Sequence, residues 1–506
     1  YRQLDEAVYR FAVALQNLGA KKGDRVAVYL PNCPQFVIAY YGAIRAGGVA
    51  VPCNPLYVAA ELEHQLNDAG AEIVVTLSAF YEVLQSIRAN TRLRHAIVTN
   101  VKEYFPPLLR LLFTLTKEKK EGHRVELAGE DDFWFQSLLM RGSAAPAPIE
   151  VEFDDTACLL YTGGTTGVPK GAQLTHRNLV SNAVAALAWS HSREGGEITI
   201  GALPLFHSYG MTSVMNMAVA GAFTMVLIVD PRDVLHIMGS ISKHRASFYP
   251  AVPTMYVAVN NHPQVKEFDL SSIRVCLSGA APLPSEVQER FQAITGSTLV
   301  EAYGLTETSP ATHVNPLDRN RIGFIGIPWP DTEARIVDVD TGEEELPVGE
   351  IGELVIHGPQ VMKGYWQQPT ETANVLREHP VLGPGLWLHT GDIARVDEEG
   401  YFQIVDRKKD MIICGGFNVY PRDVEEALFK HPAVQEAAVV GVPDPYRGEA
   451  VEAFLVLKEG MTATEEEIIA FCRQHLARYK APTAVEFRTE LPKSAIGKVL
   501  RRELVG

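Results

Sequence analysis

The chain has 506 residues, a length that suits about three domains. Of these residues 46% are apolar and 21% are charged, which is the composition of a globular protein and not of a disordered chain. Its 61 acidic residues outnumber its 46 basic residues, giving a net charge of −15, which argues against a nucleic-acid partner because phosphates would be repelled overall. The six cysteines form no CxxC pair and have no metal-type spacing, which favours free buried thiols over a disulfide or zinc framework.

The first hundred residues alternate between helical and strand patterns. After an apolar helical stripe at the start, the pattern predicts strands at 24–30, 48–55 and 71–77, and helices at 35–45 and 61–70. This alternation predicts a parallel sheet covered by helices. The chain starts at Tyr1, in a helical pattern and with no signal peptide, so we expect its natural N-terminus to be missing.

Residues 104–120 interrupt this alternation. The segment combines four leucines on one helical face with four basic residues: Leu108, Leu111, Leu112, Leu115, Arg110, Lys117, Lys119 and Lys120. This composition is typical of a helix that lies on a membrane surface. The alternative is a helix docked on its own domain with a solvated basic end, and the sequence favours this second interpretation.

A second apolar stretch, residues 211–229, carries no charge and is nearly long enough to span a bilayer. Its polar residues and the following Asp230-Pro231 instead predict a buried helix, a turn at Gly221 and a buried strand.

Three changes of pattern divide the rest of the chain. Residues 141–150 have the composition of a linker, residues 151–330 resume the βα alternation, and residues 331–405 read as strands separated by Gly and Asp turns. After Asp406 follows a compact α+β unit of about 100 residues. We therefore predict an α/β protein with a large N-terminal domain (1–406), including a small β-rich subdomain, and a mobile C-terminal α+β domain (407–506).

The segment YTGGTTGVPKG (161–171) follows an apolar strand and precedes a helix that starts near His176. It does not match the P-loop pattern, because Lys170 is followed by Gly171, and it lacks the Rossmann GxGxxG. Free backbone N–H groups, hydroxyls and Lys170 nevertheless suit a loop that covers phosphates. The alternative is a flexible Gly/Thr turn.

This segment resembles the YTSGTTGxPKG signature of the adenylate-forming superfamily, which contains acyl-CoA synthetases, luciferases and peptide-synthetase adenylation domains. It departs from the signature at Gly163-Gly164, since the family usually has Ser or Thr at Gly163. Further segments resemble the family's other motifs in the same order: RAGGVAVPCNP (45–55), LPLFHSYG (203–210), LSGAAPLP (277–284), EAYGLTETSP (301–310), LHTGDIA (388–394), VDRKKDMIICGGFNVYP (405–421) and LPKSAIGKVLRREL (491–504).

The resemblance implies a nucleotide site. Tyr303 would stack on adenine, Asp392 would hold both ribose hydroxyls, and Arg407 would bind ribose or phosphate. Mg²⁺ would be held by Glu307 and Thr165, with Thr306 on the phosphate. The remaining ATP- and AMP-binding positions are Thr162, Gly163, Gly164, Thr166, Gly167, Lys170, Gly279, Ala280, Ala281, Glu301, Ala302 and Gly304.

The resemblance also implies two half-reactions with different domain positions. Lys498 would bridge the incoming carboxylate and the α-phosphate of ATP during adenylation, where charge develops. The C-terminal domain would then rotate about the hinge residue Lys409. This rotation would remove Lys498 and present Gly415, Gly416 and Phe417 to CoA. Without the resemblance, Lys498 would be interpreted as a solvated lysine in a basic tail.

The acyl group is suggested by the segment around His207, which in the family lies beside the acyl pocket. Small and flexible apolar residues follow it and would suit an alkyl chain: Gly210, Met211, Val214 and Met215. The motifs are most similar to those of bacterial long-chain fatty-acid–CoA ligases. A departure occurs at Gly385-Leu386-Trp387, where the family usually has Asp-Gly-Trp.

The function predicted on this basis is an AMP-forming fatty-acid–CoA ligase that uses ATP, Mg²⁺ and CoA. The alternatives are an aryl-CoA ligase, a fatty-acyl-AMP ligase that loads a carrier protein, and a lipid-binding protein with vestigial motifs. The expected location is cytoplasmic, on the inner face of the cell membrane if residues 104–120 make peripheral membrane contact. The sequence leaves open whether the protein is a homodimer.

Overall fold

The computed structural model describes residues 1–141, 146–162, 169–414, 417–445, 447–494 and 497–504. Its first sheet is mostly parallel, in the spatial order β7-β6-β2-β1-β3-β4-β5, with β7 antiparallel to β6. The strands are β1 (Arg25–Tyr29), β2 (Val49–Pro52), β3 (Ile73–Leu77), β4 (His95–Thr99), β5 (Phe133–Trp134), β6 (Thr156–Thr162) and β7 (Lys170–Thr175). The helices of this part are α1 (Arg2–Asn17), α2 (Pro34–Arg45), α3 (Ala59–Ala69), α4 (Tyr81–Ile87), α5 (Pro107–Thr116) and α6 (Phe135–Arg141).

A second sheet follows, in the order β14-β13-β12-β11-β10-β8-β9. Its strands are β8 (Ile198–Gly201), β9 (Thr224–Leu227), β10 (Phe248–Ala251), β11 (Val275–Ser278), β12 (Thr298–Gly304), β13 (Ala311–Val314) and β14 (Ile327–Pro328). The accompanying helices are α7 (His176–Trp189), α8 (Ser208–Gly210), α9 (Met217–Ala220), α10 (Val234–His244), α11 (Pro253–Asn261) and α12 (Ser285–Thr295), with a π-helical turn at Met211–Asn216 between α8 and α9. These two sheets confirm the predicted βα layers.

The apolar stretch 211–229 forms a helical segment, a turn at Gly221 and β9, as predicted. The expectation that its strand is buried was wrong, because β9 is the edge strand of the second sheet and is half-exposed. Within the described ranges, no helix combines the length and the hydropathy needed to cross a bilayer.

The third sheet is the predicted β-rich subdomain. Its strands β15 (Glu333–Val337), β16 (Gly352–His357), β18 (Leu376–His379), β19 (Gly383–Val396) and β20 (Phe402–Arg407) pair antiparallel. Two short elements lie between β16 and β18, namely β17 (Gly364–Tyr365) and α13 (Pro369–Val375). The strand β17 leaves its own subdomain and pairs with β7 at the edge of the first sheet. This pairing brings the two subdomains together at the predicted phosphate loop.

The C-terminal part is an α+β unit, as predicted. It contains β21 (Ile412–Cys414), β22 (Phe417–Val419), β23 (Val434–Asp444), β24 (Gly448–Leu457), β25 (Ala484–Phe487), α14 (Pro421–Phe429) and α15 (Glu465–His475). Its own core includes Val424, Val439, Leu455 and Ile468. The predicted boundary after residue 406 falls one residue before the end of β20 and stays a prediction.

The six cysteines are free and buried, as expected. Helix α5 lies where the leucine-rich segment was expected, but only Phe113 of this helix is buried. The helix is docked through Phe113, while its leucines are exposed to solvent, so the choice between a docked helix and a membrane-surface helix stays a prediction.

Candidate functional site

A large cavity of about 2200 Å³ lies where all four structural parts meet. Its walls include Leu160 of the first sheet, Ala302 of the second, Leu388 of the third and Lys498 of the C-terminal unit. Pockets for a single small ligand usually measure about 300–1,000 Å³. The cavity therefore has room for a nucleotide together with a second substrate.

One end of the cavity is formed where the parallel strands β11 and β12 terminate. The residues that follow β11 and those that end β12 all line it: Gly279, Ala280, Ala281, Glu301, Ala302, Tyr303 and Gly304. The carboxyl ends of parallel strands are the usual place for a nucleotide in such sheets. Gly304 has a packing reason as well, because a Cβ there would lie 1.9 Å from the carbonyl oxygen of Pro310.

Asp392 on β19 is a cavity carboxylate held by two donors. The hydroxyl of Tyr303 donates a hydrogen bond of 2.5 Å to its Oδ2, and Nε of Arg407 lies 2.9 Å from its Oδ1. Asp392 and Arg407 are register partners on β19 and β20. A carboxylate has about four acceptor positions, so two donors fix its orientation and leave the others for a ligand.

Lys498 enters the same cavity from the C-terminal unit. Burial lowers its pKa to about 8, and the positive charge of Arg407 contributes to the same shift. Burial also lowers the pKa of His207 to about 4, with the charge of Lys498 as the second cause. His207 is therefore neutral at physiological pH, and the predicted adenylation lysine and acyl-side histidine are neighbours.

The loop that carries Lys498 packs closely on the large N-terminal part. Gly497 has a φ of 75°, and a Cβ at this position would lie 2.7 Å from Oγ1 of Thr254 on α11. Glycine is thus required both for the backbone conformation and for the contact. This packing holds Lys498 inside the cavity in the conformation described here.

Glu307, the predicted metal ligand, sits in a short turn after β12 and lines the cavity. In the parts of the chain that are described, Tyr365 is its hydrogen-bond donor, at 2.7 Å from the hydroxyl to Oε1, and no group of three His, Cys, Asp or Glu residues that could hold a metal is found. One carboxylate plus phosphate oxygens is nevertheless a usual environment for Mg²⁺. The residues present therefore fit a magnesium ion that arrives with its nucleotide.

Residues 1–366 match the model of the AMP-binding enzymes, and residues 423–498 match that of the AMP-binding enzyme C-terminal domain. The chain belongs to the AMP-binding enzyme family.

This AMP-binding enzyme is 47% identical over 501 residues to a long-chain-fatty-acid–CoA ligase of Bacillus subtilis, covering 98% of the chain and 88% of that protein. It is 42% identical over 511 residues to a protein of the same name from Escherichia coli, covering 100% and 89%. Among solved structures, ATP-bound MatB from Rhodopseudomonas palustris is similar, with 32% identity, a TM-score of 0.87 and coverage of 100% and 92%.

The four residues predicted to form the acyl wall of the AMP-binding enzyme lie on the face of their helical segment that does not line the cavity. Gly210, Met211, Val214 and Met215 pack into the core of the first sheet and do not line the cavity. Gly210 is there because a Cβ would lie 2.2 Å from the carbonyl oxygen of Pro204.

The cavity is lined instead by the face of that segment that carries Tyr209, Thr212, Ser213 and Met217. The cavity also has an apolar wall, in which Met217 packs with several of the other members: Ala186, Trp189, Phe248, Val275, Leu317 and Trp329. The two hydroxyl residues one helical turn after Tyr209 were the available signal for the cavity side.

The other predicted positions are placed as follows. Thr162, Thr306 and Lys409 line the cavity, as does Lys170, which forms an ion pair with Glu371. Phe417 is exposed and stacks on Tyr479, with 4.8 Å between ring centres. The predicted phosphate-loop residues Gly163, Gly164, Thr165, Thr166 and Gly167 and the predicted CoA-binding Gly415 and Gly416 lie outside the described residues.

Two cavity contacts of the AMP-binding enzyme escaped the sequence analysis. Tyr365 on β17 bonds Glu307, and Arg422 on α14 reaches to within 3.9 Å of Glu301. In each pair the two residues are far apart in the chain, so no local sequence pattern links them.

Proposed function

We propose that this AMP-binding enzyme is a fatty-acid–CoA ligase acting on medium- to long-chain acids. In the first step a carboxylate oxygen attacks the α-phosphorus of ATP, and pyrophosphate leaves. In the second step the CoA thiol attacks the carbonyl carbon of the acyl-AMP, and AMP leaves. The observation that carries the proposal is the placement of Lys498 in one cavity with Asp392 and His207.

The residues of the chain divide this work. Asp392 and Tyr303 would hold ribose and adenine, since both line the cavity and are already bonded to each other. The ammonium of Lys498 would lie between the carboxylate and the α-phosphate, where two anions must approach. Glu307 would hold Mg²⁺, which when bound neutralises charge on the phosphate oxygens.

The second step requires a different position of the C-terminal unit. Lys498 lines the cavity beside His207 in the described conformation, so a thiol that approaches from that side needs this space to be vacated. Lys409 lies between the last strand of the third sheet and the C-terminal unit. We therefore place the hinge at Lys409, where a few backbone angles can change without breaking a helix or strand.

The apolar wall of the cavity supports an aliphatic acid. Trp189, Phe248 and Leu317 belong to this wall and pack with neighbouring apolar residues. Each buried methylene of a ligand is worth about 0.8 kcal/mol, so a long chain gains affinity from such a wall that acetate cannot gain.

We expect the rate at which the wild-type protein releases pyrophosphate to increase with chain length from acetate to oleate. The value of kcat/KM should be at least about a hundredfold higher for a C12–C18 acid than for acetate. The products with CoA should be acyl-CoA and AMP. The panel should include 4-coumarate and benzoate, because a preference for either would make the protein an aryl-CoA ligase. Formation of ADP would reject the adenylate route altogether.

Helix α5 supports a second element of the proposal, peripheral contact with an anionic lipid bilayer. Five leucines of the helix are exposed by 48–73% of their surface: Leu108, Leu109, Leu111, Leu112 and Leu115. Phe113 anchors the helix by edge contacts with Phe105 and His123. The leucine face thus stands outward from the protein while the helix itself is held in place.

Charge favours a bilayer as the occupant of this face. The helix is followed by Lys119 and Lys120, for which the described part of the chain offers no carboxylate partner, in a protein of net charge −15. An amphipathic helix with leucines on one side and lysines at its rim binds anionic lipid surfaces.

Flotation with vesicles tests this contact. We expect the protein to float with phosphatidylcholine vesicles that contain 30% phosphatidylglycerol, and Leu111→Gln/Leu115→Gln to reduce the bound fraction about tenfold, because two inserted side chains are lost. The matched control is Val180→Gln/Val184→Gln, an exposed i,i+4 pair on α7. Equal binding by both double variants would contradict the contact, as would a change from dimer to monomer caused by the leucine substitutions.

A further inference from the structure

Tyr365 is a buried tyrosine on a short strand that pairs with a different sheet from the one of its own subdomain. It lies on the two-residue strand β17, whose partner is β7 of the first sheet, with Tyr365 opposite Ala172. Backbone hydrogen bonds to β7 hold the residues before and after this strand, because Lys363 N donates to Gln173 O and Trp366 N donates to Gly171 O. A polar side chain this firmly placed and only 8% exposed needs a partner for its hydroxyl.

That partner is Glu307. The hydroxyl of Tyr365 donates to Oε1 of the carboxylate at 2.7 Å. The same segment also fixes the backbone of Glu307, since Met362 N donates to Glu307 O at 2.7 Å. Two contacts from residues 362–365 therefore set both the main chain and the side chain of the predicted metal ligand.

The ring of Tyr365 is equally constrained. Nζ of Lys170 lies 5.3 Å from the ring centre, and the backbone N–H of Tyr365 donates to Oγ1 of Thr372 at 2.9 Å. The residue thus stands between the predicted phosphate lysine and the predicted metal carboxylate, and all three line the cavity.

We infer that Tyr365 is a positioning residue that holds the Glu307 carboxylate by Oε1 and so presents Oε2 to the magnesium ion of MgATP. In the described ranges Oε2 has no hydrogen-bond donor, so it is the oxygen available to a cation. A freely rotating glutamate would lose side-chain entropy on binding the metal, and a hydrogen bond made in advance removes part of that cost. The inference rests on the proposed function in that Glu307 serves a nucleotide-bound metal.

Tyr365→Phe tests the role because it keeps the ring and removes only the hydroxyl. Binding is measured with Mn²⁺ as a paramagnetic probe, by electron paramagnetic resonance in the presence of α,β-methylene-ATP. We expect about tenfold weaker Mn²⁺ binding in the ternary complex, the effect of losing one hydrogen bond to a charged group. Affinity for the same nucleotide analogue in EDTA should be unchanged.

Two further variants separate positioning from general damage. Tyr81→Phe removes a comparable buried bond, from the Tyr81 hydroxyl to Oδ2 of Asp132, away from the cavity, and should leave Mn²⁺ binding unaltered. In a Glu307→Gln background, Tyr365→Phe should have no additional effect on Mn²⁺ binding, because it acts only through the carboxylate. Unchanged Mn²⁺ affinity, or an equal loss with and without metal, would overturn the inference. A wild-type protein that binds Mn²⁺ and nucleotide but never releases pyrophosphate would instead reject the proposed function.

Discussion

Lys498→Ala is expected to reduce formation of acyl-AMP by at least about a thousandfold while a preformed acyl-AMP still reacts with CoA. The ammonium is half-buried in the cavity beside His207 and Arg407, where partial removal of water strengthens its interaction with an approaching carboxylate and phosphate. Exchange of labelled pyrophosphate into ATP measures the first step. Mixing synthetic acyl-AMP with CoA and following acyl-CoA measures the second.

Lys493→Ala is the matched control for Lys498. It removes a second cavity-lining lysine of the same C-terminal segment, but this lysine is paired with Glu436 at 2.7 Å and is given no role in the proposed chemistry. Both steps should remain close to wild type in this variant. An equal loss of both steps in Lys498→Ala would show that the lysine supports the structure of the site and not adenylation alone.

The pKa of Lys498 predicts how the rate of adenylation depends on pH. Burial lowers this pKa to about 8, and the charged ammonium is the form that acts, so kcat/KM for adenylation should fall as pH rises through about 8. Lys498→Arg keeps the positive charge at much higher pH. The alkaline decline should therefore move upward in that variant, even where its overall rate is lower.

The βα layers were predictable because their signals are local. Strand β1 and helix α2 each carry a complete apolar pattern within about a dozen residues, and such patterns determine the type of an element. Two residues of the cavity, Tyr303 and Asp392, were also accessible from the sequence, because they stand in segments that resemble known motifs.

The cavity-lining face of the segment that follows His207 was not predictable in the same way. The helical segment from Ser208 to Ala220 packs on the first sheet with an apolar face, while its cavity face carries Thr212 and Ser213. Periodicity alone finds the helix, and only these two hydroxyl residues distinguish its two faces. The face with Met211 was chosen for its flexible side chains, and these fill the core instead.

Contacts between segments that are distant in the chain could not be predicted from local sequence patterns either. The bond from Tyr365 to Glu307 depends on a two-residue strand that crosses from one subdomain to the edge of another sheet. Helix α5 presents a related problem, since its leucines have the spacing of a docked helix. Only the positions of its neighbours reveal that nothing in the described chain covers Leu108 and Leu115.

Asp392→Ala should impair both half-reactions, in contrast to Lys498→Ala. Asp392 is buried and holds Arg407 and Tyr303 in place, and its loss leaves the partly exposed guanidinium without its carboxylate. Removing one partner of a fully buried pair costs about 3–5 kcal/mol, and the partial exposure of Arg407 reduces this cost, part of which appears as weaker nucleotide binding. We expect kcat/KM for ATP to fall about a hundredfold or more, and the reaction of acyl-AMP with CoA to weaken as well, because both steps use the same ribose.

Graded variants distinguish loss of the ribose contact from loss of folding. Asp397→Ala removes another Asp–Arg pair, with Arg321 at 2.6 Å, from the end of the same hairpin. It should lower thermal stability without changing kcat/KM for ATP, since Asp397 lies outside the cavity wall. Tyr303→Phe removes one of the two donors to Asp392 and keeps the ring, so its effect should fall between wild type and Asp392→Ala. If Asp397→Ala and Asp392→Ala were to lower kcat/KM equally, the carboxylate would act by stabilising the third sheet and not by holding the nucleotide.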